Sequence, residues 1–503
     1  MKHLIILLSF LFVSNAFGQV EYLKRIEIEL DNNYSSETLI EFNEKGIILQ
    51  SKKEGKEGGN EEWKFEKYNT DLKKVGSKKI LMDKKFFLDE TFSNDDRHFA
   101  LFKDRKSKFI LSSLDVKTMD LTKTEGNLPK KSRITNMAVL GDYAYFKAYI
   151  KKEVFLYSVN WKTGKTNFIP IAISGYNSKD LRVLNFQILE EESEILLYVI
   201  GLNKRDESDM YVLKLNEFGK KVGSLNLTKR ITENIADISA YKLSDKQYLF
   251  TGTYSKISIS GSEGLFFCQV TNSKVDFIEF YNFLDLDEFL SYLPEKKEKK
   301  IEKKKARKEA KGKELKINYR IADHDIIDIE DGFIFVGEAY YPTYRSESYT
   351  TYSTVNGVST PRTQYRSVFD GYQYTHAVVA KFNKKGEMLW DRTVEMYQTY
   401  KPFHVKRFLN ISSEEDEALK LVYSSNYSIV SKYIDYNGKI VEGQESEEIK
   451  MGNDGDKAKW SSSDLSYWYD DFFIASGSQK IKNKEDKSVD RKRKVFFISK
   501  VKY

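Results

Sequence analysis

Apolar residues alternate with polar ones along most of the chain, and the alternating stretches come in pairs joined by a short turn. The phrase HAVVAKFNKKGEMLWDRTVE, residues 376–395, is one such pair. Apolar side chains at every second position predict a strand with one buried face. Asn or Asp, often followed by Gly three residues later, predicts the turn between two strands. Related phrases begin at residues 61, 108, 154, 210, 265 and 429, so the sequence predicts a repeated strand–turn–strand unit.

The period of the repeat identifies a fold class. The turn residues are Asn69, Asp115, Asn160, Asn216, Asn272, Asn383 and Asp435, and their successive spacings are 46, 45, 56, 56, 111 and 52 residues. The longest interval contains two insertions, 284–316 and 345–368, and removing them leaves about 54 residues. Units of this length with four short strands each predict an all-β fold of the β-propeller type.

A second repeat covers the inner half of two units. The stretch IADISAYKLSDKQYLFTG, residues 235–252, matches IADHDIIDIEDGFIFVG, residues 321–337, with one residue fewer in the second. Each has an acidic turn, an apolar strand and a Gly six or seven residues after the Asp. Gly within a strand often marks a close backbone approach, which is typical of the crowded inner strands of a propeller.

One unit resembles a known family. The stretch FSNDDRHFALFKDRKSKFILSSLDVKT, residues 92–118, is similar to a blade of the TolB-like propellers, where an F-S-x-D turn precedes an apolar strand and the unit ends in L-D-x-x-T. The matching residues are Phe92, Ser93, Asp95, Asp104, Arg105, Leu114, Asp115 and Thr118, while Asp96 replaces the usual Gly. The resemblance implies a propeller fold and turn roles for these positions, and it implies no functional residue.

Both ends of the chain contribute to the predicted last blade. The stretch VFFISKVKY, residues 495–503, predicts a third strand with no chain left for a fourth, while EYLKRIEIEL, residues 21–30, predicts a strand that precedes the first full unit. Pairing these strands closes the ring and removes two exposed edges. We expect one propeller domain over residues 19–503 with eight blades. Seven blades is the alternative, if the first unit with its FNEKG turn at 42–46 packs differently.

The first 18 residues have the pattern of a secretory signal peptide. Lys2 and His3 precede ten apolar residues, Leu4 to Val13, and Ala16-Phe17-Gly18 forms a small-x-small cleavage site. We therefore expect an exported protein, periplasmic or extracellular, that does not span a membrane. The single cysteine, Cys268, excludes an internal disulfide and is expected in the core.

Candidate catalytic chemistry is sparse. Beyond the signal peptide there are four histidines, and no hydrolase, metalloprotease or nucleotide-binding motif occurs, so we expect neither metal nor cofactor. Asp323, His324 and Asp325 are expected to begin an innermost strand at the channel, where acid–His–acid could bind a cation or transfer a proton. The alternative is that strand alternation points Asp323 and Asp325 to solvent or turns and His324 into packing.

A tyrosine-rich insertion is the leading candidate for binding. Asn356-Gly357 predicts a tight turn, so residues 345–368 are expected to form a long hairpin. Tyr supplies large contact area with few rotatable bonds and Arg supplies planar donors, a composition that suits protein, peptide or glycan ligands. The candidate ligand-binding residues within the 337–376 face are Tyr340, Tyr341, Tyr344, Arg345, Tyr349, Tyr352, Tyr365, Arg366, Tyr372 and Tyr374. The alternative is a structural hairpin that folds over the propeller.

A lysine-rich insertion carries the excess charge. The chain has a formal charge of +7, and residues 295–315 contain 11 Lys and Arg against 5 Glu, so the rest of the exported chain is electrically balanced. Residues 285–293 are expected to form a short amphipathic helix, followed by a charged helix or disordered run. Coiled-coil character is suggested by composition, but Ile301, Ala306 and Ala310 form no regular seam. The segment could contact anionic surfaces, and no specific nucleic-acid site is predicted.

These features give three functional hypotheses. The leading one is an exported, non-catalytic propeller that binds a macromolecule or glycan through the tyrosine-rich hairpin. The second is an enzyme of hydrolase or lyase type with its site at the channel mouth. The third is a structural partner in a cell-envelope assembly, attached through the basic segment.

Overall fold

The structure is a computed structural model. It describes residues 20–30, 34–53, 59–151, 153–203, 207–256, 261–317, 319–355, 358–414, 418–486 and 488–502. The predicted signal peptide lies outside the described residues. Within the described ranges, no helix is long and apolar enough to cross a membrane.

Almost all of the secondary structure consists of antiparallel strands, which group into eight sheets within the described residues. The first described strand is β1 (Glu21–Glu29). Sheet 1 contains β2 (Tyr34–Glu41), β3 (Ile47–Lys53), β4 (Glu61–Tyr68) and β5 (Lys74–Met82). Sheet 2 contains β6 (Phe87–Ser93), β7 (Arg97–Lys103), β8 (Lys108–Asp115) and β9 (Leu121–Asn127). Sheet 3 contains β10 (Ser132–Leu140), β11 (Tyr143–Ile150), β12 (Glu153–Asn160) and β13 (Thr166–Pro170).

The remaining sheets follow the same order along the chain. Sheet 4 contains β14 (Leu181–Leu189), β15 (Glu194–Leu202), β16 (Ser208–Asn216) and β17 (Lys221–Ile231). Sheet 5 contains β18 (Asn234–Ser244), β19 (Gln247–Ser255), β20 (Gly264–Thr271) and β21 (Lys274–Asn282). Sheet 6 contains β22 (Arg320–Asp323), β23 (Ile327–Ile329), β24 (Gly332–Val355), β25 (Val358–Asn383) and β26 (Met388–Glu395). Sheet 7 contains β27 (Asn410–Glu414), β28 (Ala418–Ser425), β29 (Ser428–Asp435) and β30 (Ile440–Glu448).

Sheet 8 joins the two ends of the chain. It contains β31 (Lys457–Tyr469), β32 (Phe472–Lys482) and β33 (Lys492–Lys502), and β1 pairs with β33 as its outer strand. Arg493 lies at this junction and donates hydrogen bonds to Glu27 on β1 and to Asp456, whose side chain is inaccessible to solvent. The predicted closure of the last unit by the N-terminal strand is confirmed.

The predicted turn chemistry is present in nearly every unit. The side-chain oxygen of the first turn residue accepts hydrogen bonds from backbone N–H groups two and three or four residues further on. This occurs at Asn69, Asp115, Asn160, Asn216, Asn383 and Asp435. Asn272 instead adopts a positive φ of 52°. In sheet 2, Asp104 caps its loop in the same way, so this carboxylate has a turn role.

The apolar core is divided among the interfaces between consecutive sheets. Each of eight buried clusters draws its side chains from two neighbouring sheets. One of them packs Ile47 and Leu49 of sheet 1 against Trp468 and Ile498 of sheet 8. Because the last sheet packs on the first, the sheets form a closed ring, and the all-β propeller fold is confirmed. Cys268 is free and buried between sheets 4 and 5.

The connection between sheets 5 and 6 differs in part from the sequence expectation. The helix α1 spans Glu295–Glu309 and buries none of its side chains, as expected for a solvated charged helix. The helix expected over 285–293 is wrong: a 3-10 turn, Phe283–Asp285, is followed by bends and turns. The physical reason is that Asp391 of sheet 6 accepts hydrogen bonds from the backbone N–H groups of Asp287 and Glu288, at 2.8 Å each. A second 3-10 turn, Ser178–Asp180, precedes sheet 4.

Candidate functional site

Three irregular connections lie on one face of the ring. Strands alternate in direction within each sheet, so the second-to-third-strand connections lie on the same face as the connections between sheets. On this face, which we call the upper face, are the hairpin between β24 and β25, the segment that contains α1, and the loop of residues 396–409 between β26 and β27.

The hairpin is longer than the insertion that predicted it. The pairing of β24 with β25 runs from Gly332 opposite Asn383 to Val355 opposite Val358. The neighbouring strands are shorter: β22 pairs with β24 only as far as Tyr340, and β26 pairs with β25 only from His376. In the described residues beyond these points the hairpin is therefore a two-stranded ribbon with two unpaired edges. Its predicted turn residues, Asn356 and Gly357, lie outside the described residues.

The structure divides the predicted ligand-binding residues into two groups. Exposed side chains on the ribbon or at its base are Tyr341, Tyr344, Arg345, Tyr349, Tyr352, Tyr365 and Arg366. The most exposed rings, Tyr352 and Tyr365, have 71% and 74% of their surface accessible. Tyr340 and Tyr374 are buried in the core between sheets 6 and 7, and Tyr372 is half-buried against that core. Tyr340 and Tyr374 therefore support the base of the hairpin from inside the core, and Tyr372 is only partly accessible to a ligand.

The two arginines of the ribbon are held by one acid. Glu347 accepts a hydrogen bond from Arg345 at 2.8 Å and from Arg366 at 2.9 Å. The hydroxyl of Tyr349 donates to Gln364 on the opposite strand at 2.8 Å. These exposed contacts order the polar side chains between the tyrosines.

The loop of residues 396–409 adds aromatic surface that the sequence reasoning missed. Tyr397, Tyr400 and Phe403 are all exposed, with 57%, 49% and 62% of their surface accessible. The ring of Phe403 lies 5.8 Å from that of Phe369 at the base of the hairpin. We call the eight exposed rings of the hairpin and loop the aromatic face: Tyr341, Tyr344, Tyr349, Tyr352, Tyr365, Tyr397, Tyr400 and Phe403. The stretch YQTYKPF at 397–403, with three aromatic residues in seven positions, is the feature of the sequence that could have predicted this surface.

A buried acid anchors this loop. Glu338 on β24 is fully buried, and its carboxylate accepts hydrogen bonds from the backbone N–H groups of Phe408 at 2.8 Å and Leu409 at 2.9 Å. The same carboxylate lies 2.7 Å from Nε2 of His324. The backbone N–H of Lys406 donates to the hydroxyl of Tyr374. The end of the loop is thus fixed to the inner strands of sheet 6.

The three predicted acid–His–acid residues do not form one cluster. The strand β22 ends at Asp323 and does not begin there, and residues 324–326 separate it from β23. The expected alternation is therefore wrong: Asp323 is buried, His324 contacts Glu338, and Asp325 is exposed. The three side chains face different surroundings, so the geometry offers no shared catalytic centre for them.

Asp323 instead pairs with Asp237 of the neighbouring sheet. Burial and the adjacent Asp237 carboxyl raise the pKa of Asp323 to about 8, and burial also raises the pKa of Asp237. The two side chains are hydrogen-bonded, and two carboxylates in contact favour one shared proton. Asn185 of sheet 4 donates to Asp237 at 3.1 Å, and the positive charge of Arg407 opposes both pKa increases. The feature of the sequence that could have predicted this pair is the repeated IAD stretch, which aligns Asp237 with Asp323.

A second titratable acid lies where sheet 1 meets sheet 8. Burial raises the pKa of Glu41 to about 7, while a hydrogen bond with Ser466 and the charge of Lys406 lower it. Lys406 also forms an ion pair with Asp464 of sheet 8. The loop of residues 396–409 therefore places cationic side chains among acids of several inner strands. Among the described residues, no group of three or more His, Cys, Asp or Glu side chains could hold a metal ion.

The basic segment presents one charged side. Lys296, Lys299, Lys300, Lys303, Lys304 and Arg307 border a common surface depression along α1. On the other side of the helix, Lys305 donates to the carbonyl oxygen of Leu284 at 2.6 Å and pairs with Asp285 at 2.9 Å. These contacts hold α1 on the connection that precedes it.

Comparisons with known proteins assign no activity. No family model and no curated protein matches the sequence. Among solved structures, the propeller domain of the Trilobed protease from Pyrococcus furiosus is 8% identical, with 81% of this chain and 97% of that chain covered and a TM-score of 0.33. A protein from Lactobacillus plantarum is 10% identical, with 84% and 95% covered and a TM-score of 0.38. The tricorn protease is 12% identical, with 86% and 36% covered and a TM-score of 0.35. Scores this low carry no argument, so the fold assignment rests on the sheets and cores described above.

Proposed function

We propose that the protein is an exported, non-catalytic binding protein that holds an extended polypeptide on its aromatic face. The observation that carries this proposal is the concentration of exposed tyrosine and phenylalanine rings on the upper face of sheet 6 and its following loop. Aromatic side chains dominate binding energy in protein interfaces, and exposed apolar patches of this kind are typical of interaction sites. The export step rests on the signal-peptide pattern of residues 1–18.

The free edges of the ribbon favour a polypeptide over a glycan. Within the described residues, the outer parts of β24 and β25 have no strand partner except each other, and the loop covers the β25 edge at Tyr372, whose backbone N–H donates to the carbonyl of Pro402. Beyond this point each strand has an edge of backbone N–H and C=O groups without a strand partner. An extended peptide can add to such an edge as a further strand, with its side chains against the neighbouring rings. A glycan would use the rings but not the regular backbone edge.

A displayed peptide library and a glycan array test this proposal. The wild-type protein is compared with a triple variant, Tyr349→Ala, Tyr352→Ala and Tyr365→Ala, and with the matched triple Tyr→Phe variant, which keeps the rings. Phe218→Ala removes an exposed ring from a turn on the opposite face and serves as a second control. If each lost ring costs about 1–2 kcal/mol, the triple alanine variant binds a selected peptide at least about 100-fold more weakly.

The outcomes separate the possibilities. Retained binding by the Tyr→Phe variant supports ring burial as the source of affinity. Selection of glycans but no peptide would contradict the polypeptide assignment, and equal binding by the wild type and the triple alanine variant would contradict the aromatic face.

A further inference from the structure

A polar cavity of about 240 Å³ lies between the inner strands of sheets 5 and 6. Its polar lining consists of Asp237, Thr253, Ser262, Arg320 and Tyr340. This volume is smaller than the roughly 300–1,000 Å³ of sites for drug-sized ligands, so a fitting ligand is a small molecule. The cavity is separate from the exposed rings of the hairpin and does not contribute to the peptide surface proposed above.

Backbone pairing fixes the positions of these side chains. Asp237 lies opposite Thr253 in the β18–β19 pair, and Arg320 lies opposite Tyr340 in the β22–β24 pair. Directly opposite residues in an antiparallel pair project from the same side of the sheet. The backbone of Ser262 exchanges hydrogen bonds with Tyr319, the residue before Arg320, and this bridge joins the two sheets at the cavity. The polar groups are therefore held by regular structure.

Three hydroxyl groups and one guanidinium border the cavity. Thr253, Ser262 and Tyr340 have 2%, 3% and 8% of their surface accessible and line the cavity. Arg320 is half-buried and forms no ion pair with the described acids, and its guanidinium lies 5.9 Å from the ring of Tyr372. A guanidinium without an acidic partner in the described part of the chain lies beside three hydroxyls at this cavity, so these groups can bind a polar ligand.

The local charge favours an anion. Asp237 and Asp323 share a hydrogen bond and together carry about one negative charge when one proton is shared. Arg407 interacts electrostatically with both acids, Lys147 interacts with Asp237, and Arg320 borders the cavity, so three positive charges lie around this pair. The site therefore has an excess of positive charge, which an anionic ligand reduces. Arginine binds carboxylates through two parallel hydrogen bonds, which specifies the anionic group.

We propose that this cavity binds a small polyhydroxylated carboxylate of the sugar-acid class. Arg320 holds the ligand carboxylate, the hydroxyls of Ser262, Thr253 and Tyr340 bond the ligand hydroxyl groups, and the Asp237 carboxyl bonds one further hydroxyl.

Binding of three probes to the full exported chain tests the assignment, measured by isothermal titration calorimetry. Glucuronate carries both the carboxylate and the hydroxyls, glucose lacks the carboxylate, and propionate lacks the hydroxyls. We expect glucuronate to bind at least about tenfold more tightly than either partial probe. Arg320→Gln reduces glucuronate affinity at least about tenfold, and Tyr340→Phe, which keeps the buried ring, reduces it severalfold. Arg105→Gln, at an exposed arginine of the loop between β7 and β8, is the matched control and leaves the affinity unchanged.

Three results would overturn the proposal. One is absence of glucuronate binding at concentrations up to about 20 mM, a very weak limit on the affinity scale. The second is equal affinity for glucuronate, glucose and propionate. The third is an Arg320→Gln variant that binds as well as Arg105→Gln while both variants show the wild-type circular dichroism spectrum.

Discussion

Replacing Glu338 with Ala is expected to destabilise the protein and release the aromatic loop. The carboxylate is fully buried and is the acceptor for the backbone N–H groups of Phe408 and Leu409 and for Nε2 of His324. A buried donor left without a partner costs about 1–3 kcal/mol. The side chain of His324 is 11% accessible, so water can reach it, and the two backbone donors remain as the main cost. The expected loss of unfolding free energy is therefore about 2–6 kcal/mol.

Urea unfolding followed by tryptophan fluorescence measures this loss. Glu338→Gln keeps the size and one acceptor oxygen, and it is expected to cost about 1–3 kcal/mol because its amide faces other donors. The control is Glu347→Ala, which removes an acid with two arginine partners on the exposed ribbon. Exposed ion pairs contribute about 0–1 kcal/mol, so this variant should unfold nearly as the wild type does.

The reasoning fails if Glu338→Ala loses less than about 1 kcal/mol or behaves like Glu347→Ala. Hydrogen exchange gives an independent measure, because the N–H groups of Phe408 and Leu409 should exchange faster in Glu338→Ala. Unchanged protection at these two positions would show that the acid does not hold the loop.

Three further predictions concern closure, pH and charge. Deleting residues 19–30 removes β1 and the Glu27 partner of Arg493. The melting temperature should therefore fall, and unfolding should become less cooperative. A truncated protein that melts like the full chain would contradict closure of the ring by the N-terminal strand. The folded protein retains a proton on Asp323 up to a pKa of about 8, which the unfolded chain releases near pH 4, so urea stability should decrease as the pH rises between these values. Asp323→Asn should flatten that decrease, and an unchanged slope in this variant refutes the pairing. Replacing the lysines and the arginine on the basic side of α1 with glutamine should abolish any binding to anionic vesicles at low salt. At about 0.15 M salt, where the screening length is about 8 Å, vesicle binding by the wild type should weaken strongly. Vesicle binding that neither the substitutions nor the salt reduces would contradict an electrostatic origin.

The repeat made the propeller fold predictable from sequence. Strand alternation and the Asn or Asp turns are local features, and residues such as Asn69 and Asp435 form the hydrogen bonds that their side chains favour. The N-terminal strand was also predictable, because the last unit lacked its fourth strand. The expected helix at 285–293 was wrong because a distant acid, Asp391, binds the backbone of this segment. Local apolar periodicity contains no information on that contact.

The candidate sites were less predictable, since they depend on which strands become neighbours. Tyr352 is exposed and Tyr374 is buried because the strands that flank the hairpin end between them. In the sequence both are tyrosines of the same tyrosine-rich stretch, so the sequence does not distinguish them. The interruption after Asp323 separates it from His324, and its actual partner, Asp237, is 86 positions away in the sequence. The matching IAD stretches show that the two acids occupy equivalent positions in two repeats. That the two acids are in contact follows only from the packing of neighbouring sheets in the ring.

Hydrogen exchange of the protein with a bound, selected peptide tests the central claim most directly. If the aromatic face is the binding surface, the peptide should protect backbone amides of residues 341–355, 358–374 and 396–405, with little change on the opposite face. New protection along an edge of β24 or β25 would show strand addition. Protection confined to turns of the opposite face, or to inner strands such as β18 and β22 with none on the hairpin, would contradict the account.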